Sequence, residues 1–86
     1  MELKLEVTNK HNVLERCFYL FSLYDKTSEY DDESGANKLS MDYFMYNEEE
    51  IVTNILYLGK FVKIIEPSYL RDKLLNRIMK ALILYK

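Results

Sequence analysis

The sequence of 86 residues has one cysteine, one histidine, one proline, two glycines and no tryptophan. A lone Cys17 excludes an internal disulfide framework and any zinc site built on cysteines, and it fits a reducing, cytoplasmic setting. One His and one Cys cannot assemble a Ser-His-Asp or Cys-His constellation. Two separated glycines cannot form a glycine-rich phosphate loop. Catalysis, a cofactor and a metal site are therefore not expected. No apolar run approaches the ~20 residues of a membrane span. The opening stretch, Met1 to Lys10, alternates polar and apolar residues, unlike a secretory leader.

What is present is the composition of one folded domain, residues 1–86. Apolar residues make up 49%, charged residues 30% and aromatics 14%, with eight Tyr and four Phe. A chain this small buries only about 60–65% of its unfolded surface. So many large side chains imply that some serve an interface. The net charge of −2 is unevenly spread. Residues 68–86 hold five basic residues (Arg71, Lys73, Arg77, Lys80, Lys86) against Asp72, so the remainder carries −6. Such a segment is either a solvated helix face whose late cations suit the macrodipole or a surface for an anion or acidic partner.

Hydrophobic spacing divides the chain into elements. Leu3, Leu5 and Val7 alternate with polar residues, as on a half-buried strand. From Val13 the spacing changes to i, i+3, i+4 (Cys17, Phe18, Leu20, Phe21), which predicts a helix over residues 10–23 capped by Thr8 or Asn9. Cys17 lies on its apolar stripe as an inert thiol, and His11 lies on its surface. A polar strand over 25–33, the turn Ser34–Asn37 and a strand over 38–46 form a hairpin, its second strand apolar on both faces and central. Asn47-x-x-Glu50 has capping-box spacing, and Glu48, Glu49 and Glu50 suit a helix N-terminus. That helix buries Ile51, Val52, Ile55, Leu56 and Leu58 and stops at Gly59. A strand over Lys60–Glu66 follows. Pro67 ends it, and Ser68 caps a last helix.

The order β-α-β-β-α-β-α predicts an α+β fold: a ferredoxin-like βαββαβ sandwich with an additional C-terminal helix. The crossover rule places both internal helices on one sheet face. The other face is then expected to display Met41/Tyr43/Met45 or Phe44/Tyr46, joined by Phe61, Lys63 and Ile65, beneath the last helix or a second chain. The layout is that of an RNA-binding sheet, but the basic-aromatic signature of such sheets is absent around Tyr43–Tyr46.

The segment Leu56 to Tyr85 resembles the C-terminal extension (WCX) of WYL-domain bacterial transcriptional regulators. The matching features are a helix end with Leu56, Tyr57 and Gly59, an aliphatic strand, Glu66-Pro67, Leu70-Arg71, and an amphipathic helix closing on Tyr85. Leu3 to Asn9 is similar to the opening strand of that extension. The helix-turn-helix and WYL domains that precede it in the family are not in this chain. The resemblance implies a non-catalytic domain for oligomerisation or contact with the missing WYL and helix-turn-helix region, taking part in sensing a nucleotide or nucleic-acid effector. It implies no sequence-specific DNA reading here.

Candidate ligand-binding residues are Arg71, Arg77 and Lys63. Arg71 stands in the first turn of the last helix, where a cation is disfavoured by the dipole, so it calls for a partner: a nearby Glu66 or carbonyl, a phosphate, or another domain. Candidate interface residues are Tyr43, Met45, Phe61, Met79, Ile83 and Tyr85. Two other readings are a stand-alone ferredoxin-like module binding a nucleotide or other anionic ligand, and a free-standing adaptor or antitoxin-like protein.

Overall fold

The computed structural model describes residues 1–85. β1 (Glu2–Thr8), β2 (Lys26–Asp31), β3 (Ala36–Asp42) and β4 (Val62–Glu66) form one antiparallel sheet in the order β2-β3-β1-β4. α1 (Val13–Leu20) follows β1, α2 (Glu48–Leu58) links β3 to β4, and α3 (Ser68–Leu84) closes the chain. This is the ferredoxin-like arrangement with an added C-terminal helix that the sequence predicts.

One sheet face carries the core. Leu3, Leu5 and Val7 of β1, Leu39 and Met41 of β3 and Ile64 of β4 meet Val13, Cys17 and Phe21 from the α1 region, and Ile51, Val52, Ile55 and Leu58 of α2. Alternation along each strand puts these side chains on one face and the charged residues between them on the other. Burial pushes the Cys17 thiol up to about 11, partly offset by Arg16. A thiol so protonated is a poor nucleophile.

Several boundaries differ from the sequence expectation. α1 begins three residues late because His11 and Asn12 take left-handed φ of 58° and 56°. The cap position falls on Asn12, with no side-chain bond to the helix. β3 starts at Ala36 and ends at Asp42; Tyr43 still exchanges backbone bonds with Met1 at 2.9 Å, and Phe44–Tyr46 leave the sheet. Asn47 holds the cap position of α2, as expected, but its side chain makes no bond to that helix. Its Oδ1 accepts the Phe44 N–H at 3.1 Å and closes the short 3-10 turn Met45–Asn47. Ser68 is the first residue of α3, and Pro67 holds the cap position.

The open face is polar. The register aligns Glu29, Lys38, Glu6 and Lys63 across all four strands, a row of alternating sign. Lys4 adds contacts to Glu2 at 3.5 Å and Glu66 at 3.9 Å. The expected aromatic display is therefore corrected: β3 has one apolar face, not two. Met41 and Tyr43 are buried, and Phe44, Met45 and Tyr46 lie beyond the sheet. α3 does not cover this face either, because it packs against α2 and β4. Of the β4 set, Lys63 is exposed on the open face. Ile65 sits at the irregularity where Lys4 pairs with Glu66 and Leu5 with Ile64. Phe61 lies in the turn before β4, half-buried against the core, its ring 5.4 Å from His11.

Gly59 has φ 66° and ψ −138°, a region closed to side chains with a Cβ, although the space around it is open. Gly59→Ala is expected to cost about 1–3 kcal/mol from backbone strain alone, measured by urea unfolding. Gly35→Asn, at an ordinary left-handed turn with φ 69°, is expected to cost under about 1 kcal/mol.

Candidate functional site

α3 is held to the body by polar contacts. Tyr69, Lys73 and Arg77 recur every four residues and so share one side of the helix. They face the acidic start of α2. Tyr69 donates its O–H to Glu48 Oε2 at 2.7 Å. That hydroxyl has a single hydrogen, so in the 2.8 Å contact between the two phenols the buried Tyr43 is the donor. Lys73 Nζ lies 3.4 Å from Glu48 and 2.7 Å from Glu49. Arg77 lies 3.5 Å from Glu49 and donates to Thr53 Oγ1 at 3.3 Å. The Glu48 side chain is only 12% exposed. The titrations follow this geometry. The bond from Lys73 holds the Glu49 carboxyl below the usual range, and the same bond raises Lys73. Tyr69 is raised first by desolvation, then by its bonds to Tyr43 and Glu48.

The apolar contribution of α3 to the body is small. Leu70 is fully buried and Leu74 packs partly against the core. Leu75, Ile78, Met79, Leu82, Ile83, Leu84 and Tyr85 stay exposed, with Ile83 at 68% and Tyr85 at 88%. Thus α3 turns charged groups inward and its aliphatic stripe outward. A contiguous apolar helix face of this kind marks an interaction surface.

The three candidate cations do not converge. Arg77 is engaged by Glu49 and Thr53. Lys63 is on the open sheet face, paired in register with Glu6. Arg71 is exposed on α3, with no ion pair among the described residues. Of the interface candidates, Met79 and Ile83 are exposed on α3, and Tyr85 is exposed at its C-cap. Met45 is exposed but sits in the turn before α2, beside the stacked rings of Phe44 and Tyr46. Tyr43 is corrected: at 2% exposure it is a core residue whose hydroxyl anchors Tyr69. Phe61 is half-buried against the core.

Two clefts remain. One, about 560 Å³, is lined by Tyr24, Phe44 and Tyr46 with Asp25, Asp42 and Glu50, and so disfavours an anion. The other, about 600 Å³, lies over the sheet between Lys4, Lys38, Glu29 and Glu66, with its charges balanced. Among the described residues no group of His, Cys, Asp or Glu is gathered for a metal, and no helix is long and apolar enough to cross a membrane.

The Tyr69–Glu48–Lys73–Glu49–Arg77 clamp is not among the sequence expectations. The signal was available as the four-residue recurrence of Tyr69, Lys73 and Arg77 alongside the acidic run 48–50. Comparisons with protein-family models, curated proteins and solved structures give no match.

Tyr69→Phe deprives the buried Tyr43 hydroxyl and the Glu48 carboxylate of a shared partner. The expected loss is about 1.5–3 kcal/mol, read from urea unfolding; a loss under about 0.5 kcal/mol contradicts the clamp. Because the pKa of Glu49 is depressed on folding, its stabilisation is present above the ordinary Glu value of about 4.3 and is lost as pH falls through the lowered value. The Tm gap between the parent and Glu49→Gln is expected at neutral pH and closes in acid.

Proposed function

We propose that this chain is a non-catalytic regulatory and assembly domain of a WYL-type transcriptional regulator, equivalent to the C-terminal extension it resembles. Its work is contact: with another copy, or with a WYL and helix-turn-helix region, so that effector binding is communicated across the assembly. The observation that carries this reading is the outward apolar stripe of α3. Burying a Leu, Ile or Met side chain is worth about 1.5–3 kcal/mol. A helix that leaves Ile78, Met79, Leu82 and Ile83 largely uncovered is the half of a contact. The paired positions of the resemblance divide the labour in support of this. Leu70 is the buried anchor of α3, and Arg71 beside it points outward.

The anionic-ligand reading has less behind it. Arg71, Arg77 and Lys63 build no common site, and the aromatic-walled cleft is acidic. The open sheet face offers no aromatic platform for stacking bases and places glutamates among its lysines.

Sedimentation velocity of the chain, alone and mixed with a WYL-domain fragment, tests the reading. The Met79→Asp, Ile83→Asp double variant is expected to abolish association while keeping the parent's circular dichroism. Unchanged association in that variant contradicts the proposal. A nucleotide-induced thermal shift that vanishes in Arg71→Ala contradicts it in favour of the ligand module.

A further inference from the structure

The outward stripe of α3 has a regular spacing. Arg71, Leu75, Ile78, Leu82 and Tyr85 follow steps of four, three, four and three, the seam of a helix that packs along another helix. All five are exposed, and Met79 and Ile83 flank them. The seam is about 21 Å long at 1.5 Å per residue. It is also nearly symmetric about Ile78: Arg71 and Tyr85 each stand seven residues away, and Leu75 and Leu82 stand three and four away.

We infer that α3 pairs antiparallel with α3 of a second copy of this chain, about a two-fold axis near Ile78, so that Arg71 of each helix meets Tyr85 of the other. The inference rests on the assembly reading above and names its partner. Self-pairing is selected because the seam is complementary to its own reverse. Leu75 faces aliphatic Leu82, and a cation at one end faces an exposed ring at the other. Reversal also resolves the position of Arg71. Its own helix disfavours a cation in the first turn, whereas an antiparallel neighbour presents its C-terminal, negative end there. Parallel pairing instead brings Arg71 against Arg71. The arrangement is isologous and closes as a dimer, with no surface left to propagate.

Sedimentation equilibrium of the 86-residue chain tests this. The parent is expected to be a dimer and Ile78→Asp a monomer, both with the same circular dichroism. Arg71→Glu separates assembly from folding. It puts an anion in the first turn of α3, which favours the monomer's helix, yet it removes a contact made twice in the dimer. Weakening by about tenfold or more is expected. Tyr85→Lys weakens the dimer likewise, and Arg71→Glu combined with Tyr85→Lys restores it. A parent dimer that both single variants leave unchanged, or that the double variant fails to restore, overturns the antiparallel pairing and leaves the assembly reading intact. So does a monomer that binds the WYL fragment through α3. A monomer that binds neither itself nor that fragment overturns both.

Discussion

The clamp between α2 and α3 fixes what this molecule shows to its surroundings. Glu48 and Glu49 hold Tyr69, Lys73 and Arg77, and Leu70 alone is fully buried among the residues of α3. Because the inward side of the helix is spent on charge, its aliphatic side faces water. A helix that served only to complete the core would be turned the other way, with its stripe against β4 and α2. The Tyr43–Tyr69–Glu48 chain sets that rotation. It runs from a buried phenol to a nearly buried carboxylate, and such networks tolerate little displacement because each member left unpaired is costly.

The rest of the fold supplies a base for this helix and smaller exposed apolar patches, among them Tyr19 and Tyr57 where α1 meets α2. The sheet's open face is closed to most partners by chemistry. Its row Glu29–Lys38–Glu6–Lys63 alternates in sign across the strands, and cross-strand neighbours of opposite charge are mildly stabilising. The stacked Phe44 and Tyr46 form another exposed apolar spot, smaller than the stripe of α3 and rimmed by acids. Function is therefore read from a helix surface and not from a pocket.

Element order, sheet class and most of the core were legible in the sequence, since period two in β1 and i, i+3, i+4 spacing in the helices follow directly from burial on one side. The run Phe44–Tyr46 departs from the expected strand for a physical reason. An apolar stretch at a strand end has the same local pattern whether the strand continues or the chain turns away. Here Asn47 accepts the Phe44 N–H and closes a turn. Tyr43 is a core residue and not an interface one for a long-range reason: its partner Tyr69 lies 26 residues on. The outward residues Met79, Ile83 and Tyr85 were identified from sequence because the final helix holds more apolar positions than one stripe can bury. Which side would face out depended on the clamp, and that is a property of two helices together.

Amide hydrogen exchange of α3 against protein concentration bears on this account most directly. If the helix is covered by a second copy, the amides of residues 78–84 become more protected as concentration rises, while those of the β1–β3 core stay constant. Fast exchange of those helix amides at every concentration, with the core fully protected, would contradict it.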